Sequence, residues 1–177
     1  MSELTEIRWH ARAGQGAKTA AQILALALLR TGKSVQAFPE YGPERRGAPL
    51  RAYTRFGRRQ IRRHDSIQKP DVVVVLDDSL LDEPAVREGV TGETTVLVNT
   101  LESPELGDAR VRAVPTARFA AVDGASFANV AMLGAVAAAL GEPPLDELQE
   151  AVVETLGGKV APGELRAAVA EGYTWNG

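Results

Sequence analysis

Runs of apolar residues, some continuous and some alternating with polar ones, divide the chain into predicted strands and helices. Glu6–His10 reads as a short first strand, followed by a turn at Arg12-Ala13-Gly14-Gln15-Gly16. Ala17–Arg30 carries little polar surface beyond Lys18, Gln22 and Arg30, so it is expected to be a helix buried on more than one side. Gly32 stands where such a helix stops. Ser34–Phe38 is a second candidate strand, closed by Pro39, and Glu40–Pro49 holds too many glycines and prolines for regular structure. In Arg51–Phe56, Ala52, Thr54 and Phe56 alternate with Arg51, Tyr53 and Arg55, which predicts a half-exposed strand. A turn at Gly57 and a short strand at Gln60–Arg62 would make it a hairpin.

The second half follows a different pattern. Val72–Leu76 is an unbroken apolar core within Asp71–Asp77, and Thr94–Thr100 is similar, with Arg110–Val114 a weaker third case. Parallel strands covered by helices on both faces have this character. Ala125–Leu140 reads as a long Ala-rich helix ended by Gly141 and Pro143-Pro144, with further helices at Leu145–Leu156 and Glu164–Glu171. This order predicts a three-layer α/β/α sandwich with a mostly parallel, mixed sheet, as one domain spanning residues 1–177.

Composition narrows the function. The 177 residues contain no cysteine, which excludes disulfides, thiol nucleophiles and thiolate-held iron–sulfur clusters in this chain. Two histidines, His10 and His64, do not make an ordinary zinc site, so no metal and no catalytic residue is assigned. The apolar stretches Ala20–Leu29 and Val130–Leu140 are too short to cross a bilayer, and the N-terminus lacks the start of a signal peptide. A cytoplasmic protein without membrane contact is the expectation. Glu44–Arg63 holds eight arginines against one acid, a local charge of +7, which leaves −10 for the rest of a chain of net charge −3. That asymmetry suggests a local anionic partner rather than nucleic acid.

Three motifs carry candidate chemistry. Gly14-Gln15-Gly16 lies between a strand and a helix, where backbone N–H groups and the helix dipole attract anions. It matches neither a phosphate loop nor a dinucleotide fingerprint, and tight packing of the turn is the alternative. Glu40 falls roughly where a ribose-binding acid would stand. Tyr41-Gly42-Pro43-Glu44-Arg45-Arg46-Gly47-Ala48-Pro49 sets two adjacent arginines in a restrained loop, suited to carboxylates, phosphates or a protein interface. Asp77-Asp78 and Asn99-Thr100 lie at strand carboxyl ends, as helix caps or as part of a ligand edge.

Gly14-Gln15-Gly16 after a strand, the run Ala37–Pro49, Pro70–Val75, Val98-Asn99-Thr100 and Asn129–Ala135 resemble the gamma subunit of 2-oxoacid:ferredoxin oxidoreductases, the pyruvate type above all. The likeness runs in order over nearly the whole chain. One departure is that the family's Gly-Arg-Gly-Gly-Gln-Gly loop reads Ala11-Arg12-Ala13-Gly14-Gln15-Gly16 here. The resemblance implies a complex that oxidatively decarboxylates a 2-oxoacid to acyl-CoA and passes electrons to ferredoxin or a similar acceptor. It implies thiamine diphosphate on alpha and beta subunits and [4Fe-4S] clusters on beta and delta subunits, with no cofactor bound by this subunit alone. Gamma would scaffold, and would contribute to coenzyme A binding through Arg12, Gly14, Gln15, Gly16, Arg45 and Arg46. A freestanding nucleotide- or CoA-binding module and a non-catalytic assembly protein are the competing readings.

Overall fold

The computed structural model describes residues 4–40, 47–121 and 127–175. Six strands form one sheet in the order β2-β3-β1-β4-β5-β6: β1 (Leu4–Arg12), β2 (Ser34–Pro39), β3 (Pro49–Gly57), β4 (Val72–Val75), β5 (Thr95–Val98) and β6 (Arg110–Ala113). β1, β4, β5 and β6 pair in parallel, and β3 runs antiparallel to both β1 and β2. The mixed α/β sheet is therefore as the residue pattern predicts.

One face carries the long helices α1 (Ala17–Arg30), α3 (Ala128–Leu140), α4 (Leu145–Leu156) and α5 (Pro162–Thr174). Trp9, Ile7, Val74 and Leu97 meet Leu24, Leu28, Met132 and Val136 in the main core there. The other face is covered more thinly, by a 3-10 turn at Asp78–Leu80 and the single-turn helix α2 (Pro84–Arg87). Val73, Val75, Val96 and Val98 pack there against Leu80, Val86 and Leu106. Both faces of β4 are thus buried, which is why its sequence is four consecutive valines. Among the described residues no helix is long and apolar enough to cross a membrane.

Two expectations fail around β3. Residues 58–70 form no strand; the antiparallel hairpin partner of β3 is the preceding strand β2. Nor is β3 half-exposed, because Ala52–Phe56 are all buried. The alternation was real, but β3 is an interior strand and its polar face is covered by carboxylates. Arg55 is fully buried against Glu6, with Nε 2.7 Å from Oε1, and also meets Gln36 and the Asp65 carbonyl. The long helices lie close to their predicted spans. α1 and α4 span the predicted residues, whereas α5 exceeds the predicted Glu164–Glu171 at both ends, beginning at Pro162, which suits the first helical turn, and running on to Thr174. α3 starts at Ala128; positions 125–126 of its predicted span lie outside the described residues.

Candidate functional site

The carboxyl end of β1 feeds the 12–16 turn, and the turn is tied on three sides. The Arg12 N–H donates to Gln15 Oε1 at 2.7 Å, and Gln15 Nε2 donates to Asp77 Oδ2 at 2.7 Å. The Arg12 guanidinium donates through Nε and Nη2 to Ser79 Oγ, at 3.1 and 2.7 Å, and through Nη1 to the Gly47 carbonyl at 3.2 Å. Ala13 exchanges backbone hydrogen bonds with Ala48 and Gly47. Arg12 and Gln15 therefore clamp the ends of β1, β3 and β4 together. Gly14 and Gly16 sit at φ of 101° and 80°, where side chains are strained. Gly14 is exposed with open space above it.

Gly16 is the N-cap of α1, and no side chain caps that helix. Its carbonyl accepts from Asn129 Nδ2 at 3.4 Å. Asn129 lies in the first turn of α3, whose N-cap Phe127 also provides no side-chain cap and sits at φ 63°. Two helix N-termini thus converge beside an exposed glycine, with their dipoles directed at one edge of the sheet. The first loop was legible in the chain order. Asn129, brought there from 113 residues away, was not.

Asp77 acts as the helix cap that was expected. It accepts from the Ser79 N–H at 3.1 Å and from the Ser79 hydroxyl. Burial pushes its carboxyl up, but the hydrogen bonds from Ser79 and Gln15 and the nearby Arg12 outweigh that, and its pKa lies below the ordinary value. Asp78 accepts from Thr100 Oγ1 at 2.8 Å, and Asn99 bridges the Leu76 carbonyl and the Thr116 hydroxyl. These groups bind one another and fix the edge.

A second polar cluster lies on the thin face and was missed as a unit. Arg8 and His10 stand two apart on one face of β1, the signal that could have paired them. Arg8 is buried and donates from Nε to His10 Nε2 at 2.9 Å, and from Nη2 to the Val86 and Glu88 carbonyls. Glu40 accepts from Arg51 and from the Tyr53 hydroxyl, so the acid placed near a ribose site is held internally. Burial and the Glu40 hydrogen bond push the Tyr53 phenol up to about 12. Burial, with Arg8 and Arg51 nearby, lowers His10 from its usual value to about 3.

That shift has a measurable consequence. Above about pH 6.5 His10 is neutral in both folded and unfolded chains. As pH falls below that, the unfolded chain takes up a proton that the folded chain refuses, so stability is lost progressively down to about pH 3. His10→Gln keeps an acceptor for Arg8 but does not titrate. Its stability relative to the parent should rise by about 1.5 kcal/mol between pH 6.5 and 5. Urea denaturation at the two pH values measures this; an unchanged difference would show that His10 titrates normally.

Arg45 and Arg46 lie outside the described residues. Of the other basic residues in that run, Arg51 is paired with Glu40 and Glu88, and Arg55 and Arg63 with Glu6 and Asp65. Three of the eight arginines of the run are therefore paired with carboxylates within the chain. Arg58 and Arg62 remain exposed.

Comparison with known proteins agrees over nearly the full length. The model of the family described as pyruvate ferredoxin/flavodoxin oxidoreductase matches residues 6–175. The pyruvate/ketoisovalerate oxidoreductases common subunit gamma of Thermococcus kodakarensis is 47% identical, over 95% of this chain and 94% of that protein. Pyruvate synthase subunit PorC of Thermotoga maritima is 42% identical, over 95% and 92%. A crystal structure of pyruvate oxidoreductase subunit PORC from Thermotoga maritima superposes with a TM-score of 0.82 at 38% identity, covering 97% of this chain and 96% of that one.

Proposed function

The chain belongs to the pyruvate ferredoxin/flavodoxin oxidoreductase family, and from that membership we propose that it is the gamma subunit of a multisubunit 2-oxoacid:ferredoxin oxidoreductase, of the pyruvate type. The observation that carries this is end-to-end similarity to proteins that are themselves gamma or PorC subunits, in a chain with no cysteine. Thiolate-held clusters do not fit these residues, so they belong to partner subunits. The same holds for thiamine diphosphate, for which this chain presents no catalytic constellation. Alpha, beta and delta-type subunits and a ferredoxin-like acceptor complete the reading. Within it, gamma orders the interfaces against which the redox subunits assemble.

The finer part of the proposal is contact with coenzyme A. Its phosphates suit the edge where α1 and α3 present uncapped N-termini beside Gly14 and Gly16. Arg45 and Arg46, which lie outside the described residues, are the guanidinium forks that the sequence offers for such phosphates. Arg12 and Gln15 support that edge as positioning residues, because their side chains already hold Ser79, Gly47 and Asp77. The alternative reading, assembly without ligand, is favoured by the same internal engagement of Arg12.

The arginine pair separates the two readings. Arg45→Ala/Arg46→Ala should leave the melting temperature of the isolated chain nearly unchanged. In the assembled enzyme it should raise the KM for coenzyme A about tenfold or more, since a charge-assisted contact contributes about 1.5–3 kcal/mol. Steady-state kinetics with coenzyme A varied measures this. An unchanged KM with weakened subunit association would give the loop to assembly, and a large loss of stability in the isolated variant would make both arginines structural.

A further inference from the structure

A cavity of about 340 Å³ opens in the thin layer, between the carboxyl ends of β1 and β3 and the segment that runs through α2. That size is at the lower end of the range for small-molecule sites. Its walls are apolar and small, including Ala13, Ala48, Leu80, Ala85 and Val86. His10 also lines it and is only 3% exposed.

The chemistry of the His10 edge is fixed from behind. Arg8 Nε is a permanent donor, and it occupies His10 Nε2 at 2.9 Å. The imidazole must therefore carry its proton on Nδ1. Among the described residues Nδ1–H has no acceptor, yet no fully enclosed side-chain nitrogen or oxygen lacks a partner. Nδ1 thus opens on the cavity that His10 lines. The lowered pKa of His10 keeps that proton count constant across the physiological range.

The neighbouring charges select what that donor meets. Arg8 donates from Nη1 to the Ile67 carbonyl and from Nη2 to the carbonyls of Val86 and Glu88. Arg51 is held between Glu40 and Glu88. Arg51 lines the cavity together with Glu40 and Glu83, so among the described lining residues one cation, already paired with Glu40 and Glu88, stands against two acidic side chains. We propose that this cavity is a binding site for a small neutral carbonyl compound, an amide or ester on a short branched apolar body. Its oxygen accepts from His10 Nδ1–H, and its hydrocarbon part packs on the Ala, Leu and Val walls. A carboxylic acid of the same shape is disfavoured, because it would add a charge beside Glu40 and Glu83 and would have to compete with Glu40 and Glu88 for Arg51, the one cation among the described lining residues.

Isobutyramide and isobutyrate are a matched pair of probes, equal in shape and heavy-atom count and differing in charge. The full-length chain, isotope-labelled on histidine nitrogen, is titrated at neutral pH and followed by long-range proton–nitrogen correlation spectra. The His10 signals should show the Nδ1–H tautomer and shift saturably with isobutyramide, with a Kd in the millimolar range suited to so small a ligand. Isobutyrate should bind at least about tenfold more weakly, since a tenfold ratio is the smallest that a clear charge preference would give. Ala85→Phe, which fills the cavity from α2, should abolish the response while His10 keeps its tautomer signature; Ala48→Leu is the milder second variant. No saturable shift up to about 100 mM amide would overturn the proposal, because binding weaker than that is non-specific in practice. An equal response to isobutyrate, or a response that survives both filled variants, would overturn it as well. Saturation-transfer difference spectra of isobutyramide on the assembled complex separate two sources of the carbonyl. A retained signal supports a free small molecule, and a signal seen for the isolated chain but lost in the complex would assign the cavity to a partner's main chain instead.

Discussion

Gly172→Ala lowers the stability of the chain by about 3 kcal/mol, the upper range for overpacking a well-packed contact. The melting temperature should fall by about 6–12 °C for a protein of this length. The cause is the seam between α3 and α5. A Cβ on Gly172 would overlap the Ala131 carbonyl oxygen and lie 3.2 Å from the Ala131 Cα. A Cβ on Gly134, on the facing helix, would overlap the Val169 carbonyl oxygen and come within 2.6 Å of the Tyr173 nitrogen. Both obstacles are backbone, so no side-chain rotation relieves them and the helices must move apart. α3 lies against the main core through Val130, Met132, Leu133 and Val136, so separation disturbs the sheet packing too. Gly163, in the first turn of the same helix, is the control. A Cβ there meets nothing, and Gly163→Ala should be neutral or stabilise by up to about 1 kcal/mol. Thermal denaturation of the two variants decides the point; equal melting temperatures would mean that the helices do not approach this closely.

Glu6→Ala costs about 3–5 kcal/mol, the usual result of leaving a buried charge without its partner. Arg55 is fully buried in β3, and Glu6 on β1 is its direct register partner across the antiparallel pair. Removing Glu6 leaves the guanidinium with Gln36, the Asp65 carbonyl and an Asp65 carboxylate 3.8 Å away. The double variant Glu6→Ala/Arg55→Met removes both charges and should recover most of that loss. A double-mutant cycle by urea denaturation gives the coupling directly. A single-variant loss below about 1 kcal/mol would show that Asp65 and Gln36 suffice, since that is the range of an exposed pair.

The same pair marks where the sequence stopped being informative. Period-two alternation in Arg51–Phe56 correctly separates the two faces of β3, but alternation reports polarity and not exposure. The polar face is covered because Glu6 and Asp65, one of them 49 residues away, bring carboxylates to it. The misplaced hairpin has a related cause: β3 pairs backwards with β2, across a segment rich in proline and glycine. By contrast α1, α4 and the valine strand β4 were readable because their signals are local. An apolar stretch with few charges in α1, a glycine beyond the last turn and a run of β-branched residues each specify structure within a few neighbours. The candidate edge divides the same way. Gly14-Gln15-Gly16 announces a strand-to-helix turn, and Asp77 announces a cap. Arg12 looks identical in sequence whether it meets a ligand or Ser79, and the approach of Asn129 to Gly16 exists only in the folded chain.

Isolation of the native assembly tests the central claim most directly. The chain, tagged at one terminus and purified anaerobically from its own cells, should bring partner subunits that carry thiamine diphosphate and iron–sulfur clusters. That preparation should reduce a dye acceptor when given pyruvate and coenzyme A, whereas the chain purified alone should not, even with thiamine diphosphate added. Recovery of the chain without such partners, or turnover by the chain on its own, would contradict the assignment as a non-catalytic gamma subunit.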